Sequence, residues 1–253
     1  MDLALKIVTT AVKPGDVAIF WLGQAGFLFK TATGMLIAVD PYLTDYTERI
    51  AGFKRLSPKL IAPQDLDLDI LITSHDHPDH FDADAVPLLM ANGRARLFGS
   101  VEAAGHARKL GLDPDRINVM KAGDEVQIGT LKITAVFADH GELAPDALGI
   151  MLMVSDKKIY LAADTAYHPE VVRTVRQIKP DLIIVPINGA YGNLNETEAA
   201  RLAGESEARI AVPCHFWTFA IHRGDPQAFA DAMREYAPSC MAKFLYQGEM
   251  FIL

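Results

Sequence analysis

Apolar runs of strand length alternate with turns at the start of the chain. Val17–Leu22, Phe27–Lys30 and Met35–Val39 are separated by Gly23, Gly26 and Gly34. This rhythm predicts a meander of short strands. Related stretches return further on. Lys158–Ala163 runs into Asp164 as Met35–Val39 runs into Asp40. Asp69–Thr73 resembles Asp181–Val185, and Arg94–Gly99 resembles Ala208–Pro213. Three pairs in the same order read as a weak internal duplication, with halves at about 16–135 and 136–253. The first half carries the longer connection, roughly Thr44–Pro63.

Helices are expected between the strands. Ser100 opens one that stops at Gly111, a residue suited to a left-handed cap. His168–Lys179 places apolar residues at Val171, Val172, Val175 and Ile178, with Pro180 beyond. Asn195 and Glu198 have the spacing of a capping box, and Asp225-Pro226 reads as a cap followed by Pro at the first helical position. Strand clusters alternating with helices, in two similar halves, predict an α/β (α+β) chain: two facing mixed β-sheets with helices on the outer faces. Nothing linker-like separates the halves, so the expectation is one domain over residues 1–253.

Composition narrows the class. Half of the 253 residues are hydrophobic and 22% are charged, as in an ordinary globular protein. The formal net charge of −8 argues against a nucleic acid or anionic membrane as partner, since phosphate contacts demand clustered Lys and Arg. Two cysteines, no basic segment leading an apolar core near the start, and no apolar run near ~18 residues predict a cytoplasmic protein without a membrane span. The pattern leaves a homo-oligomer open.

The candidate chemistry sits in residues 69–82, DILITSHDHPDHFD. A buried strand stops at Thr73-Ser74 and delivers His75, His77, Asp79 and His80 into a turn broken by Pro78. Imidazole and carboxylate donors suit borderline divalent ions such as Zn, and less strictly Mn or Fe. The pattern H-x-H-x-D-H arises by chance in roughly one such chain in a thousand, so a metal reading outweighs a polar surface turn. Further donors stand where other strands end: His140, Asp164 and His215. Together they complete two coordination spheres: His75, His77 and His140 on one ion, Asp79, His80 and His215 on the other, with Asp164 bridging. Cys214 and Ser74 read as packing, His106 as surface and His168 as a helix-start residue.

These motifs resemble the metallo-β-lactamase superfamily, whose fold is an αββα sandwich of two pseudo-equivalent halves. Within it, Phe20–Phe27, Arg49–Leu56, Asp164–Tyr167, Gly189–Gly192 and Pro213–Trp217 are most similar to the L-ascorbate-6-phosphate lactonase group. The resemblance implies a hydrolase that uses a metal-bound hydroxide to open a small, anionic lactone, with a phosphorylated sugar acid as substrate class. It implies two divalent ions, Zn first and Mn as a serious candidate. Asp79 would orient the nucleophile and accept its proton, and Tyr167 would donate to the developing oxyanion or to the leaving alkoxide. Asp40 is expected to hold a ligand imidazole from behind, and Tyr191, Asn193, Trp217 and His222 to line the pocket. The alternative is a phosphodiesterase of the same fold. A non-catalytic scaffold is disfavoured by the complete donor set.

Overall fold

A computed structural model describes residues 2–253. The chain divides into two compact units, one running to Met120 and including Tyr246–Leu253, the other spanning Lys121–Leu245. The first unit contains α1 (Leu3–Thr9), β1 (Val17–Gly23), β2 (Gly26–Thr31), β3 (Leu36–Val39), α2 (Tyr46–Ala51), β4 (Ile70–Thr73), α3 (Val86–Leu89), β5 (Arg96–Gly99), α4 (Val101–Lys109) and β6 (Ile117–Val119). The second contains β7 (Glu125–Ile128), β8 (Leu131–Phe137), β9 (Leu148–Val154), β10 (Lys157–Leu161), α5 (Pro169–Ile178), β11 (Leu182–Pro186), α6 (Glu196–Ser206), β12 (Ile210–Cys214), α7 (Pro226–Tyr236) and β13 (Met241–Ala242). The chain then returns to the first unit as β14 (Met250–Ile252).

Each unit is built on one seven-stranded mixed sheet, ordered β14-β1-β2-β3-β4-β5-β6 and β13-β12-β11-β10-β9-β8-β7. In both, an antiparallel meander (β1-β2-β3; β8-β9-β10) passes into parallel strands (β3-β4-β5-β6; β10-β11-β12-β13). The recurrence extends to single atoms. The Asp69 backbone N donates to Leu36 O at 3.0 Å, while its Oδ2 accepts from Leu36 N at 2.9 Å. Asp181 N donates to Lys158 O at 2.8 Å, and its Oδ2 accepts from Lys158 N at 3.0 Å. Arg94 and Arg209 donate to the remaining oxygens, at 3.0 and 2.9 Å. Each aspartate thus clamps the first rung of a parallel pair, where a slip of one residue would turn every apolar side chain to the wrong face.

The strands most deeply placed are buried at every position, β1, β4 and β11 among them. Such runs carry no alternation because neither face meets water. The first unit's core joins Phe20, Leu28, Leu71, Leu97 and Ala104; the second's joins Tyr160, Ile183, Val185, Ala200 and Phe229. Helix caps follow the sequence: Ser100 on α4, His168 with Pro169 on α5, the Asn195/Glu198 capping box on α6 and Asp225 on α7. At Gly204 in α6 a Cβ would overlap the Tyr236 carbonyl oxygen, so only glycine permits this approach to α7.

The hairpin β7–β8 belongs to the second sheet, so the units part at 120/121 rather than near 135. Cys214 and Cys240 are both free thiols, and burial pushes the Cys240 thiol up to about 11. No helix among the described residues is long and apolar enough to cross a membrane.

Candidate metal centre

In the first unit the donors follow the end of β4. After Thr73 the chain forms one tight turn, closed by His80 N and Phe81 N donating to His77 O at 2.9 and 2.7 Å. The turn gathers three imidazoles: the His75 ring lies 4.5 Å from that of His77 and 4.1 Å from that of His80. His75 and His80 are wholly buried, Asp79 nearly so, and His77 is intermediate. Ligand atoms of His75 and His77 lie within 4.8 Å of one another, as do those of Asp79 and His80.

The rings are oriented from behind by Asp40, at the end of β3. Its carboxylate accepts from Ser74 N at 2.7 Å and from Ser74 Oγ at 2.5 Å, and meets His80 Nδ1 at 2.8 Å. Ser74 Oγ in turn lies 3.0 Å from His75 Nδ1. Engaging Nδ1 of both rings leaves Nε2 as their metal-binding nitrogen, the arrangement in which a carboxylate fixes the tautomer of a ligand histidine. Ser74 is therefore more than packing: it relays the Asp40 carboxylate to a second imidazole. Asp40 holds this position on left-handed backbone, φ 46°. A non-glycine residue bears that strain where the surroundings over-determine it.

Residues that sequence reasoning passed over complete this half. Gln24 Nε2 donates to Asp79 Oδ2 at 2.7 Å from the turn between β1 and β2, itself held by Trp21 Nε1 donating to Gln24 O. Asp82 ties the long connection to the histidine turn, accepting from Leu43 N, Thr44 N and Thr44 Oγ1 at 2.9, 2.8 and 2.6 Å. Buried Arg55 donates to Tyr42 O and Thr44 O and lies 3.9 Å from the Tyr42 ring centroid. Burial lowers the Arg55 guanidinium pKa, while Tyr42 and Asp82 favour its charge.

In the second unit three strand ends supply the donors: His140 beyond β8, Asp164 beyond β10 and His215 beyond β12. Asp164 Oδ2 is 3.6 Å from His140 Nε2, and Asp164 Oδ1 is 3.1 Å from His215 Nε2. Each carboxylate oxygen thus faces a different imidazole, the geometry of a ligand shared between two ions. All three residues are buried. Asp139 N donates to Thr165 Oγ1, and Ala166 N to Asp139 O, fastening the loop of His140 to that of Asp164. Ala163 and His215 take left-handed φ of 54° and 61°, as Asp40 does at the equivalent end of β3. Imidazole Nε2 and carboxylate oxygen are ordinary donors for a borderline divalent ion, so the residues fit such a metal in both units.

Of the expected pocket residues, His222 is buried with its ring stacked 4.7 Å from that of His215, and Tyr191 lies 6.1 Å from His222. Asn193 is buried and Trp217 exposed. His168 caps α5, and His106 lies 3.9 Å from Asp76. Tyr167, expected to act as a proton donor, has its side-chain surroundings on α5 and α6. After Asp164 the chain turns into α5, and the Tyr167 side chain packs on the second unit's core, lining a groove with Arg201, Glu205 and Tyr236. Burial and then Glu205 raise its hydroxyl pKa, with Arg201 and Arg176 opposing. Tyr167→Phe should keep kcat within about twofold, whereas losing an oxyanion donor costs roughly 10²–10³-fold. Steady-state kinetics on any accepted substrate decides this.

Residues 18–215 match the beta-lactamase superfamily domain. A UPF0173 metal-dependent hydrolase of Hyperthermus butylicus is 28% identical over 234 residues, covering 91% of this chain and 97% of that protein. Among solved structures, Igni18, a metallo hydrolase from the archaeon Ignicoccus hospitalis, shares the fold with a TM-score of 0.74 at 21% identity, covering 94% and 98% of the two chains. Isothiocyanate hydrolase from Delia radicum gut bacteria gives a TM-score of 0.72 at 21% identity, covering 92% and 98%. With two mixed sheets flanked by helices, donors at their strand ends and a family match over most of its length, the chain belongs to the metallo-β-lactamase superfamily.

Proposed function

We propose that the protein is a metal-dependent hydrolase that opens a small anionic lactone in the cytoplasm, with a phosphorylated sugar acid as the substrate class. The observation that carries the hydrolytic reading is Asp164, whose two oxygens address two different imidazoles. The lactone reading is supported by the likeness of Phe20–Phe27, Arg49–Leu56 and Pro213–Trp217 to the ascorbate-phosphate lactonases. Divalent ions, two per chain, would have His75, His77, Asp79 and His80 as ligands in the first unit and His140, Asp164 and His215 as ligands in the second, and would supply Lewis-acid activation of water and of an acyl carbonyl. Nitrogen and oxygen donors favour Zn, and the lactonase likeness makes Mn its competitor.

The chain's own groups account for the rest. Asp40 and Ser74 hold the His75 and His80 rings in one tautomer, so that no reorganisation is needed during turnover. Asp79, steadied at Oδ2 by Gln24, is the carboxylate that orients the attacking water and takes its proton. A cationic centre in a chain of net charge −8 favours small anions while disfavouring polyanionic RNA.

The test has two stages. Elemental analysis of the purified protein should find about two divalent ions per chain, and chelation should remove activity that added metal restores. A folded, metal-free and fully active protein would overturn the whole reading. At equal metal loading, kcat/KM for a lactone should exceed that for a phosphodiester, a β-lactam or an isothiocyanate by at least about tenfold, a 1.4 kcal/mol preference. A phosphodiester preference would overturn the lactone assignment and leave a metallo-hydrolase.

A further inference from the structure

The loop after β11 and the loop after β12 carry features that metal binding does not use. Residues 187–195 fold back on themselves, Gly189 N donating to Leu194 O and Asn193 N to Ala190 O, both at 3.0 Å. The root of the loop is tied to the strand that ends in His215, Ile187 N donating to Cys214 O at 3.1 Å. Tyr191, in this loop, is 47% exposed, and Trp217, two residues beyond His215, is 60% exposed. Both sit on left-handed backbone, at φ 55° and 60°. The Tyr191 ring lies 6.1 Å from that of His222, which stacks at 4.7 Å on the candidate ligand His215, so strained backbone carries an exposed aromatic close to the donor set.

The second observation is polar. Asn193 is 5% exposed, yet neither its Oδ1 nor its Nδ2 makes a hydrogen bond. Asn188 is 1% exposed; its Oδ1 is also without a partner, and its Nδ2 reaches Ala190 O only at 3.5 Å. Buried amides left open are destabilising, and completion by a bound group is one reason they are kept.

Resting on the lactonase reading, we infer that Asn193 and Asn188 read hydroxyl groups of a polyhydroxylated lactone whose ring lies against Tyr191 and Trp217. A hydroxyl donates and accepts, so it can satisfy both ends of a primary amide. An unsubstituted lactone offers only acceptors and leaves Asn193 Oδ1 unmet. The C–H faces of a sugar-derived ring supply the apolar surface that packs on an aromatic. Together these groups make hydroxylation the feature that determines specificity.

The experiment compares D-galactono-γ-lactone with γ-butyrolactone on the metal-loaded wild-type protein, Asn193→Ala and Tyr191→Ala. Wild type should favour the hydroxylated lactone by about 10³-fold or more in kcat/KM, as sites built around a substrate hydroxyl do. Asn193→Ala should shrink that ratio by about a hundredfold through KM, and Tyr191→Ala, altering an exposed residue, should shrink it by about tenfold. An unchanged ratio in both variants overturns the inference. Calorimetric titration with D-galactonate and 4-hydroxybutyrate separates this outcome from failure of the parent reading. If no lactone is opened but galactonate binds more weakly to Asn193→Ala, the lactonase reading falls and the recognition site stands. Lactone opening with no hydroxyl preference does the reverse. Thermal unfolding guards against a structural role: a Tm drop of more than about 4 °C for Asn193→Ala would make the amide a stabilising one and overturn the proposal.

Discussion

Replacing Asp164 with Ala should lower kcat by about 10³-fold or more and reduce metal content below the wild-type level. The carboxylate is the one donor in the second unit that addresses both of its histidine neighbours, at 3.1 and 3.6 Å, from a buried position. Its loss removes a ligand that His140 and His215 cannot supply between them. Lewis-acid activation is worth several kcal/mol of transition-state stabilisation, and each 1.36 kcal/mol is tenfold in rate, which sets the expected magnitude. The fold should tolerate the change. In the presence of chelator the far-ultraviolet circular dichroism of variant and wild type should superimpose, because β10 is secured by its pairing with β9 and β11 rather than by Asp164. With metal added, wild type should gain more thermal stability than the variant, since ligand bound to the native state alone raises Tm by mass action. A variant with turnover within tenfold of wild type and full metal content would show that Asp164 is not a ligand.

Much of this was legible in local sequence, for a physical reason. H-x-H-x-D-H, the strand ends before Asp40, Asp164 and His215, and the caps of α4 to α7 are each written within a few residues. The contacts that complete the site are written across the chain instead. Gln24 reaches Asp79, Asp82 reaches Leu43 and Thr44, and Asp40 reaches Ser74 and His80. No periodicity reports pairs separated by more than thirty residues, and none reports that β14 pairs with β1. Left-handed backbone at Asp40, Ala163 and His215 was equally hidden, because no glycine marks it. The Gly23-Gln24-Ala25-Gly26 turn holds a clue to Gln24: a long amide in a turn bounded by glycines, where its side chain is buried. Tyr167 shows where local spacing stops being informative. Its spacing from Asp164 suggested proximity to the same chemistry, but Pro169 starts α5 there and the helix turns the phenol towards Arg201 and Glu205. Sequence distance along a strand end is a guide only until the next element begins.

Asp40 offers the sharper test of how the first unit prepares its donors. Asp40→Ala should weaken metal binding about 10–100-fold, the usual cost of losing the group that orients a ligand imidazole. It should also lower stability by about 3 kcal/mol, because the Ser74 amide, the Ser74 hydroxyl and His80 Nδ1 lose a buried acceptor together. For a chain this long that corresponds to roughly 6–12 °C in Tm. Asp40→Asn separates the two effects. Its side chain has nearly the same shape, and its oxygen can still accept from Ser74 N. The amide nitrogen must then face Ser74 Oγ and His80 Nδ1, and as a donor it favours the tautomer whose proton sits on Nε2. That tautomer cannot bind metal through Nε2. Asp40→Asn should therefore recover most of the lost stability while metal affinity stays depressed, measured by competition with a chromophoric chelator alongside thermal unfolding of the metal-free protein. If Asp40→Asn binds metal as tightly as wild type, Asp40 serves the fold alone, and the tautomer of His80 is set by something else.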